Sequence, residues 1–323
     1  MQQRMEKVLK LYPEAQTSLL LNKVHLFLAE LGVESYLVGG FVRDTLLGRD
    51  TADIDITVAP DALEIARKLA AALGGKYVLL DETNRIGRVI LVNEANQREL
   101  DFSTFKGSIE QDLAQRDFTI DAMAIDLGQL GQGYTELQLI DPFNGLADLN
   151  QGVIRMVSET AFPSDAARLL RAVRLAAELG FSIEEQTESL IRRYCHLLAG
   201  VAGERIREEL LRLLALPQAG QFLAYLDELG LLTVMIPELA QTKGVVQPKE
   251  HFWNVFDHSI KTVVATGFLL RQDTWEYNSA DVLAVTPWSE VLAQHFALGV
   301  SQGSTRGSLL KLAALLHDIA KPQ

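Results

Sequence analysis

The residue pattern of the chain changes near residue 160, and this change constrains the fold more than any other feature. Before residue 150, short apolar runs and alternating polar and apolar positions predict strands, with helical spacing between them. Beyond Pro163, apolar residues recur three and four positions apart, which is the spacing of helices packed on a core. The sequence therefore predicts an α+β protein, in which an N-terminal mixed-sheet domain is followed by an all-helical neck and body.

The chain has 323 residues, which is more than one hydrophobic core usually holds. We predict a head domain over residues 1–150, a helical neck over 151–215 and a helical body over 216–323. The only cysteine, Cys195, excludes a disulfide framework within the chain and is typical of a reducing compartment. Because we find no signal peptide and no apolar run near the roughly 20 residues that span a bilayer, we expect a cytoplasmic protein without a membrane partner. The oligomeric state stays open.

The net charge argues at first against a nucleic-acid partner. Thirty Lys and Arg residues face 42 Asp and Glu residues, which gives a formal charge of −12. Phosphate contacts need basic side chains, so a chain of this charge is not built to coat nucleic acid. Net charge does not exclude a confined basic patch, however, because it describes the whole surface and not one face of it.

Two glycines and three carboxylates form a candidate site in the predicted head domain. Asp53 and Asp55 point to the same face of a predicted strand, because the side-chain period of a strand is two, and Asp101 follows on another strand. Adjacent carboxylates repel unless a cation lies between them, and hard oxygen ligands suit Mg²⁺. Taken alone, an Asp-x-Asp pair is usually a solvated strand edge.

The preceding Gly39-Gly40 pair, at the end of another predicted strand, lets backbone N–H groups approach a phosphate, with Arg43 as a neutralising cation. Together these features predict phosphoryl or nucleotidyl transfer.

These residues lie in segments that resemble a known family. Residues 36–48, read as YLVGGFVRDTLLG, followed by Asp53-Ile54-Asp55, resemble the nucleotidyltransferase core of class II tRNA nucleotidyltransferases (CCA-adding enzymes) and of bacterial poly(A) polymerases. The resemblance extends in unbroken order over roughly residues 30–215. Its further segments are residues 112–124, 139–149, 165–174 and 204–210.

The resemblance implies a polymerase-beta-like nucleotidyltransferase domain that extends the 3′ end of tRNA with CTP and ATP. Asp53 and Asp55 would hold two Mg²⁺ ions, with Asp101 as the third carboxylate, and attack of the RNA 3′-hydroxyl on the α-phosphorus would release pyrophosphate. The family pattern also assigns nucleotide-binding residues. Those that would contact the triphosphate are Gly39, Gly40 and Arg43, and those that would position the sugar and phosphates are Arg116 and Asp117.

Asp165 and Arg168 match the residues with which the family reads the base. Three positions apart on a helix, they lie on one face. Cytosine and adenine each present an amino donor beside a ring-nitrogen acceptor, which a carboxylate and a guanidinium complement. Guanine and uracil present the reverse polarity, so the resemblance implies use of CTP and ATP and rejection of GTP and UTP. Without the upstream motifs, an ordinary surface ion pair would be the better interpretation.

The chain departs from the family pattern at two positions and in the length of one segment. Ser164 stands where the base-reading motif usually begins with Glu, and Asp121 stands where the family usually has Asn. The segment between Asp101 and Asp112 is shorter than the flexible loop of many complete CCA-adding relatives. Since short loops are typical of partial enzymes, we slightly prefer CC addition over full CCA addition and over A addition, with poly(A) polymerase as the alternative of the same class.

The C-terminal part resembles a partial HD domain. His258, His317 and Asp318 match the first three metal ligands of that family, and the fourth has no match up to Gln323. An alternative of a different class is therefore an HD-type metal-dependent phosphohydrolase with a nucleotide-sensing head. The missing ligand counts against it, and polar residues packed between helices would explain the same histidines.

Basic residues for RNA are expected in the neck, which is nearly neutral within an acidic chain. For about half of these arginines, a solvated face or an ion pair within a helix is the expected role. The candidates for phosphate contacts are Arg171, Arg174, Arg205 and Arg207.

Overall fold

The computed structural model describes residues 7–9, 15–49, 51–92, 97–132, 137–246, 252–276, 280–301 and 303–322. The chain forms two compact units, of which the first holds residues 1–151 and 155–158 and the second holds residues 152–154 and 159–323.

The boundary between the units lies close to the predicted limit of the head domain at residue 150. Apart from residues 151 and 155–158, the predicted neck belongs to the second unit together with the predicted body, so their division at residue 215 stays a prediction. Within the described ranges, no helix is both long and apolar enough to cross a membrane.

The first unit is built on a mixed sheet. Among the described residues, eight strands form it in the order β1-β8-β7-β2-β3-β6-β5-β4, with β3 and β6 parallel and the other neighbours antiparallel. Its strands are β1 (Lys7–Leu9), β2 (Glu34–Val38), β3 (Asp53–Ala59), β4 (Lys76–Asp81), β5 (Ile86–Val92), β6 (Gln97–Thr104), β7 (Ala124–Asp126) and β8 (Leu137–Ile140). Its α-helices are α1 (Ala15–Glu30), α2 (Gly39–Leu46), α3 (Ala62–Leu73), α4 (Ile109–Leu113) and α5 (Gly145–Gln151), with 3-10 turns at Thr119–Asp121 and Leu127–Gln132.

Helix α3 shows why these segments fold as they do. Asp61 precedes the helix, and its carboxylate accepts hydrogen bonds from the backbone N–H groups of Leu63 and Glu64, which otherwise lack helical partners. Gly74 ends the helix in the left-handed conformation, at φ +69°. The apolar face between these caps is buried and packs on β5 and β6, so this helix covers one side of the sheet.

The second unit is mainly helical. Its helices are α6 (Ala161–Ser164), α7 (Arg168–Leu179), α8 (Glu185–Tyr194), α9 (Gly203–Ala215), α10 (Ala219–Glu228), α11 (Leu232–Met235), α12 (Glu238–Thr242), α13 (Val255–Leu269), α14 (Ala280–Val285), α15 (Glu290–Ala297) and α16 (Arg306–Leu316), with a 3-10 turn at Cys195–Gly200. Its short strands are β9 (Val153–Ile154), β10 (Ser182–Ile183), β11 (Gly299–Ser301) and β12 (Ser304–Thr305). Packing of α7 on α9 and of α13 on α16 forms much of its core.

The predicted fold class, a mixed sheet followed by helices, is confirmed. Differences occur in short elements. The short strands β1, β7 and β8 and the pairs β9–β10 and β11–β12 could not be recognised from the sequence. Strands of two to four residues are too short to show a period of two, and β1 and β7 pair with strands that are distant in sequence, β8 and β2.

Lys311 is a buried charged residue in the second unit. It is 1% exposed, and its Nζ donates a hydrogen bond of 3.0 Å to the carbonyl oxygen of Leu216, just beyond α9. Burial lowers the pKa of Lys311, and the negative charge of Asp273 offsets part of this effect. In the unfolded chain the same ammonium keeps its proton up to the ordinary lysine pKa of about 10.4.

We expect the free energy of unfolding to rise with pH between the lowered pKa of folded Lys311 and the ordinary lysine pKa. In that interval the unfolded chain binds more protons than the folded one, so raising the pH favours folding. Denaturant titrations at several alkaline pH values check this, and Lys311→Met should remove the rise. Lys261→Met, at a more exposed lysine of the same unit, is the control and should keep it. An unchanged slope in Lys311→Met would contradict the assignment.

Candidate active site

Strand pairing brings four carboxylates together on one face of the sheet. In the parallel pair β3–β6, Asp53 lies opposite Glu99 and Asp55 lies opposite Asp101. Residues opposite one another share a face, and so do residues two apart on one strand. We call Asp53, Asp55, Glu99 and Asp101 the carboxylate block. The three predicted metal ligands belong to it, and Glu99 is an addition that could not be recognised from the sequence.

Arg88 on β5 occupies the edge of the carboxylate block. It lies opposite Asp101 in the β5–β6 register, and its Nε and Nη2 donate to the two carboxylate oxygens of Asp101 at 2.6 and 2.7 Å. Its Nη1 also forms an ion pair with Glu99. The hydrogen bonds to Asp101 raise the pKa of Arg88, so this guanidinium is charged at every relevant pH.

The glycine pair lies against the carboxylate block, as the sequence predicted. Helix α2 begins directly at Gly39, which has φ +66°. A Cβ atom on Gly39 would lie 2.8 Å from Arg116 Nη1 and 3.1 Å from Asp55 Oδ2, and one on Gly40 would lie 3.7 Å from the same oxygen. Glycine is therefore favoured at position 39 by its left-handed backbone conformation, and a Cβ atom there would also displace the side-chain ends of Arg116 and Asp55. We call the backbone at Gly39 and Gly40 the Gly39 turn. It brings together the backbone of Gly39, the carboxylate of Asp55 and the guanidinium of Arg116.

Arg43 lies under this turn and not at the surface. It is 6% exposed, its Nη1 donates to Asp121 Oδ1 at 2.6 Å, and its Nε and Nη2 each donate to Asp44 at 3.0 Å. Asp121, at 4% exposure, thus supplies a negative charge where the family usually has an amide. Its carboxylate forms a buried ion pair with Arg43, which gives this departure from the family pattern a structural role.

The predicted nucleotide-positioning residues differ in exposure. Arg116 is partly exposed and is held by Asp112, four positions earlier, at 3.2 Å. Asp117 is buried at 7% exposure, and its Oδ1 accepts a hydrogen bond from the N–H group of Phe118. Arg116 therefore lies where a ligand can reach it, whereas Asp117 shapes the local backbone.

In the second unit, the two predicted base-reading residues meet a third. Asp165 receives two hydrogen bonds from Arg205, of 2.9 and 2.7 Å, and its Oδ2 lies 3.9 Å from Arg168 Nε. Burial by itself would raise the pKa of Asp165, but the hydrogen bonds and charge of Arg205, the N–H group of Ala167 and the charge of Arg168 together outweigh it and lower this pKa. Arg168 also donates to Ser164 Oγ at 3.4 Å, so the serine that replaces the usual glutamate remains a partner of this guanidinium.

The predicted RNA-contacting arginines fall into three groups. Arg171 and Arg207 are exposed, as a phosphate contact requires. Arg205 is also exposed, but it pairs with Asp165. The prediction for Arg174 is wrong, because this residue is 5% exposed and lies between Glu178 and Glu209, at 2.5 Å from each.

Replacing Arg174 by methionine should therefore destabilise the second unit without changing phosphate contacts. We expect a loss of about 3 kcal/mol in the free energy of unfolding, since two carboxylates lose their buried partner. Thermal or denaturant unfolding measures this loss. The double variant in which Glu178 and Glu209 are also made glutamine should recover part of it, and a stable Arg174→Met protein would contradict the role.

Comparisons with known proteins agree with this geometry. A family model described as "Poly A polymerase head domain" matches residues 35–155. A second model, described as "Probable RNA and SrmB- binding site of polymerase A", matches residues 180–242. The chain belongs to the tRNA nucleotidyltransferase and poly(A) polymerase family. The residues that match the head-domain model include the Gly39 turn and all four residues of the carboxylate block.

Relatives in this family have names that differ in the nucleotide added. The chain is 46% identical to the CC-adding tRNA nucleotidyltransferase of Geobacter sulfurreducens over 58% of this chain and 42% of the relative. It is 35% identical to the A-adding tRNA nucleotidyltransferase of Deinococcus radiodurans over 89% of this chain and 57% of the relative. The chain thus spans about half the length of these relatives.

A solved family structure shows the same fold over most of the chain. The CCA-adding enzyme of Thermotoga maritima, in complex with tRNA, superposes with a TM-score of 0.67 at 26% identity, covering 95% of this chain and 69% of that one. The predicted nucleotidyltransferase fold is therefore confirmed.

A second cluster of polar residues lies in the second unit. His258 and His317 approach one another at 3.3 Å between their Nε2 atoms, and Asp318 Oδ2 lies 3.6 and 3.2 Å from them. One ligand atom from each of the three lies within 4.8 Å of the others. Lys321 Nζ lies 2.7 Å from Asp318 Oδ2. The structure thus brings the three predicted HD-type residues together.

Proposed function

We propose that the chain is a tRNA 3′-end nucleotidyltransferase that adds two C residues from CTP and releases pyrophosphate. The proposal extends to addition of A from ATP by the same reaction. The observation that carries this proposal is the β3–β6 register, which places Asp53, Asp55 and Asp101 side by side next to the Gly39 turn. Relatives named for CC addition and for A addition support the reaction class.

The carboxylate block fits divalent metal ions, because its donors are hard carboxylate oxygens on adjacent positions. We infer that Asp53 and Asp55 hold Mg²⁺, with Asp101 beside them. Bound there, Mg²⁺ would neutralise the charge that develops on the transferred phosphate. The N–H groups of Gly39 and Gly40 and the guanidinium of Arg116 would orient the triphosphate. Arg43 would support the turn, and Asp117 would hold the backbone that follows Arg116.

Selection of the base is assigned to Asp165 and Arg168. The carboxylate would accept from the exocyclic amino group of cytosine or adenine, and the guanidinium would donate to the adjacent ring nitrogen. Arg205 would keep the Asp165 carboxylate ionised and oriented. Arg171 and Arg207, both exposed, are the candidates for tRNA phosphate contacts.

Four RNA substrates test the proposal. Transfer RNA lacking CCA, tRNA ending in C, tRNA ending in CC and an unrelated RNA are each offered single nucleoside triphosphates with Mg²⁺. Addition of two C residues and no more supports CC addition, and one A on tRNA ending in CC supports A addition. Long A tails on every RNA would replace the proposal by a poly(A) polymerase, and no extension of any RNA would contradict it.

For the second cluster, we infer a divalent metal site of three protein ligands, as expected for a partial HD domain. The supporting observation is the convergence of His258, His317 and Asp318. Calorimetric titration with Mn²⁺ should show binding that His317→Ala removes and that Asp53→Asn leaves unchanged. Full retention of this binding in His317→Ala would contradict the assignment.

A further inference from the structure

The carboxylate block has an uneven distribution of charge. Its two rows lie on adjacent parallel strands, with Asp53 and Asp55 on β3 and Glu99 and Asp101 on β6. Four negative charges at neighbouring positions repel one another, and each carboxylate raises the energy of the others unless a cation is close. On the side of β6 that faces away from β3, the guanidinium of Arg88 lies against the β6 row.

Arg88 donates to both carboxylates of the β6 row. The two bonds to Asp101 have the paired geometry in which a guanidinium fixes the plane of a carboxylate. The contact with Glu99 reaches diagonally, because Glu99 lies opposite Ile90 in the β5–β6 register. One guanidinium thereby neutralises part of the β6 row and fixes the orientation of Asp101.

The guanidinium has little freedom to leave this position. Its side chain is 16% exposed, and the side chains of Glu99 and Asp101 are 17% and 22% exposed. Ion pairs of this exposure are screened less by water than surface pairs. The Asp53 carboxylate also contributes to the field that holds the positive charge on Arg88, so the influence of this guanidinium extends across both rows.

We propose that Arg88 is a positioning residue that sets how strongly the carboxylate block binds divalent cations. Arg88 neutralises Glu99 and thereby confines cation binding to the row formed by Asp53 and Asp55. Arg88 also holds the Asp101 carboxylate in one orientation towards that row. The inference rests on the proposed function, since it deepens the description of the same site. Arg88 lies outside the motifs of the family core.

Charge and orientation can be separated by two substitutions. Arg88→Gln removes the positive charge and should therefore tighten Mn²⁺ binding by about fivefold or more, because two uncompensated carboxylates then face the cation. Arg88→Lys keeps the charge but loses the fork that holds both oxygens of Asp101. It should leave Mn²⁺ affinity within about twofold of the parent while lowering kcat for nucleotide addition by about tenfold.

The experiment measures Mn²⁺ binding by calorimetry, without nucleotide or tRNA. All variants carry His258→Ala and His317→Ala, so that the second cluster does not contribute. Asp53→Asn with Asp55→Asn identifies the binding that belongs to the block. Arg85→Gln is the matched control, since Arg85 forms an ion pair with Asp61 in the same unit, away from the block. It should leave the affinity unchanged.

Tighter binding in Arg88→Gln supports the inference, because loss of fold or of structure would weaken binding and not strengthen it. Unchanged or weaker binding in a variant that unfolds at the same temperature as the parent overturns it. If Arg88→Gln does not fold, the kcat for nucleotide addition and the Mn²⁺ affinity of Arg88→Lys test the inference instead. A loss of Mn²⁺ affinity above tenfold in Arg88→Lys overturns the inference. Failure of tRNA extension by the parent protein would contradict the proposed function but would leave the binding result intact.

Discussion

Replacing Asp53 and Asp55 together by asparagine is expected to lower nucleotide addition by about a thousandfold or more. The two side chains form one row of the carboxylate block and lie beside the Gly39 turn, with Asp55 Oδ2 close to the Cβ position of that glycine. Asparagine keeps the size of each side chain but removes both negative charges, so cation binding is lost while packing is retained. Single-turnover extension of tRNA with CTP measures the effect.

Glu64→Gln serves as the control for this prediction. Glu64 is exposed on α3 and pairs with Lys68 four positions later, so its substitution removes one carboxylate of the same unit without touching the site. It should leave the rate within about twofold, as expected for a surface ion pair. Full activity in the Asp53→Asn, Asp55→Asn protein would show that the metal assignment is wrong.

Replacing Asp165 by asparagine is expected to reduce the preference for CTP over UTP by about a hundredfold, measured as the ratio of their kcat/KM values. A carboxylate only accepts hydrogen bonds, so it pairs with the amino group of cytosine and repels the carbonyl oxygen of uracil. An amide both donates and accepts, and by turning its NH₂ group towards uracil it removes that repulsion. The bonds from Arg205 are expected to hold the carboxylate ionised in the parent protein.

The control for base selection is Glu185→Gln, at an exposed residue in the first turn of α8. It changes the charge of the second unit by the same amount as Asp165→Asn and should leave the CTP to UTP ratio unchanged. An unaltered ratio in Asp165→Asn would mean that this residue pairs with Arg205 for structural reasons alone.

Part of this site could be predicted from the sequence because its residues are close in the chain. Gly39, Gly40, Asp53 and Asp55 lie within one strand–helix–strand segment, where local periodicity already shows which side chains share a face. The same holds for Asp165 and Arg168, which are three positions apart. The comparisons confirm the family to which these motifs pointed.

Other roles depended on partners that sequence spacing does not reveal. The pair of Arg43 with Asp121 joins residues 78 positions apart, and that of Arg174 with Glu209 joins residues 35 apart. Arg174 was predicted to contact RNA because arginines on a neutral helical segment are often exposed, whereas the helix turns this one into the core. For Arg88, the sequence shows a single charged residue beside an apolar run, which does not reveal the strand that pairs with it.

The sequence alone determined the order of the fold, the Gly39 turn and three of the four carboxylates, because each follows from local spacing and side-chain chemistry. The net charge of −12, which seemed to oppose an RNA partner, is explained in part by carboxylates gathered in one block. Only the tertiary structure decided which charges face a ligand and which neutralise one another. Strand register and helix packing set those distances, and the strength of an ionic interaction depends on distance and burial.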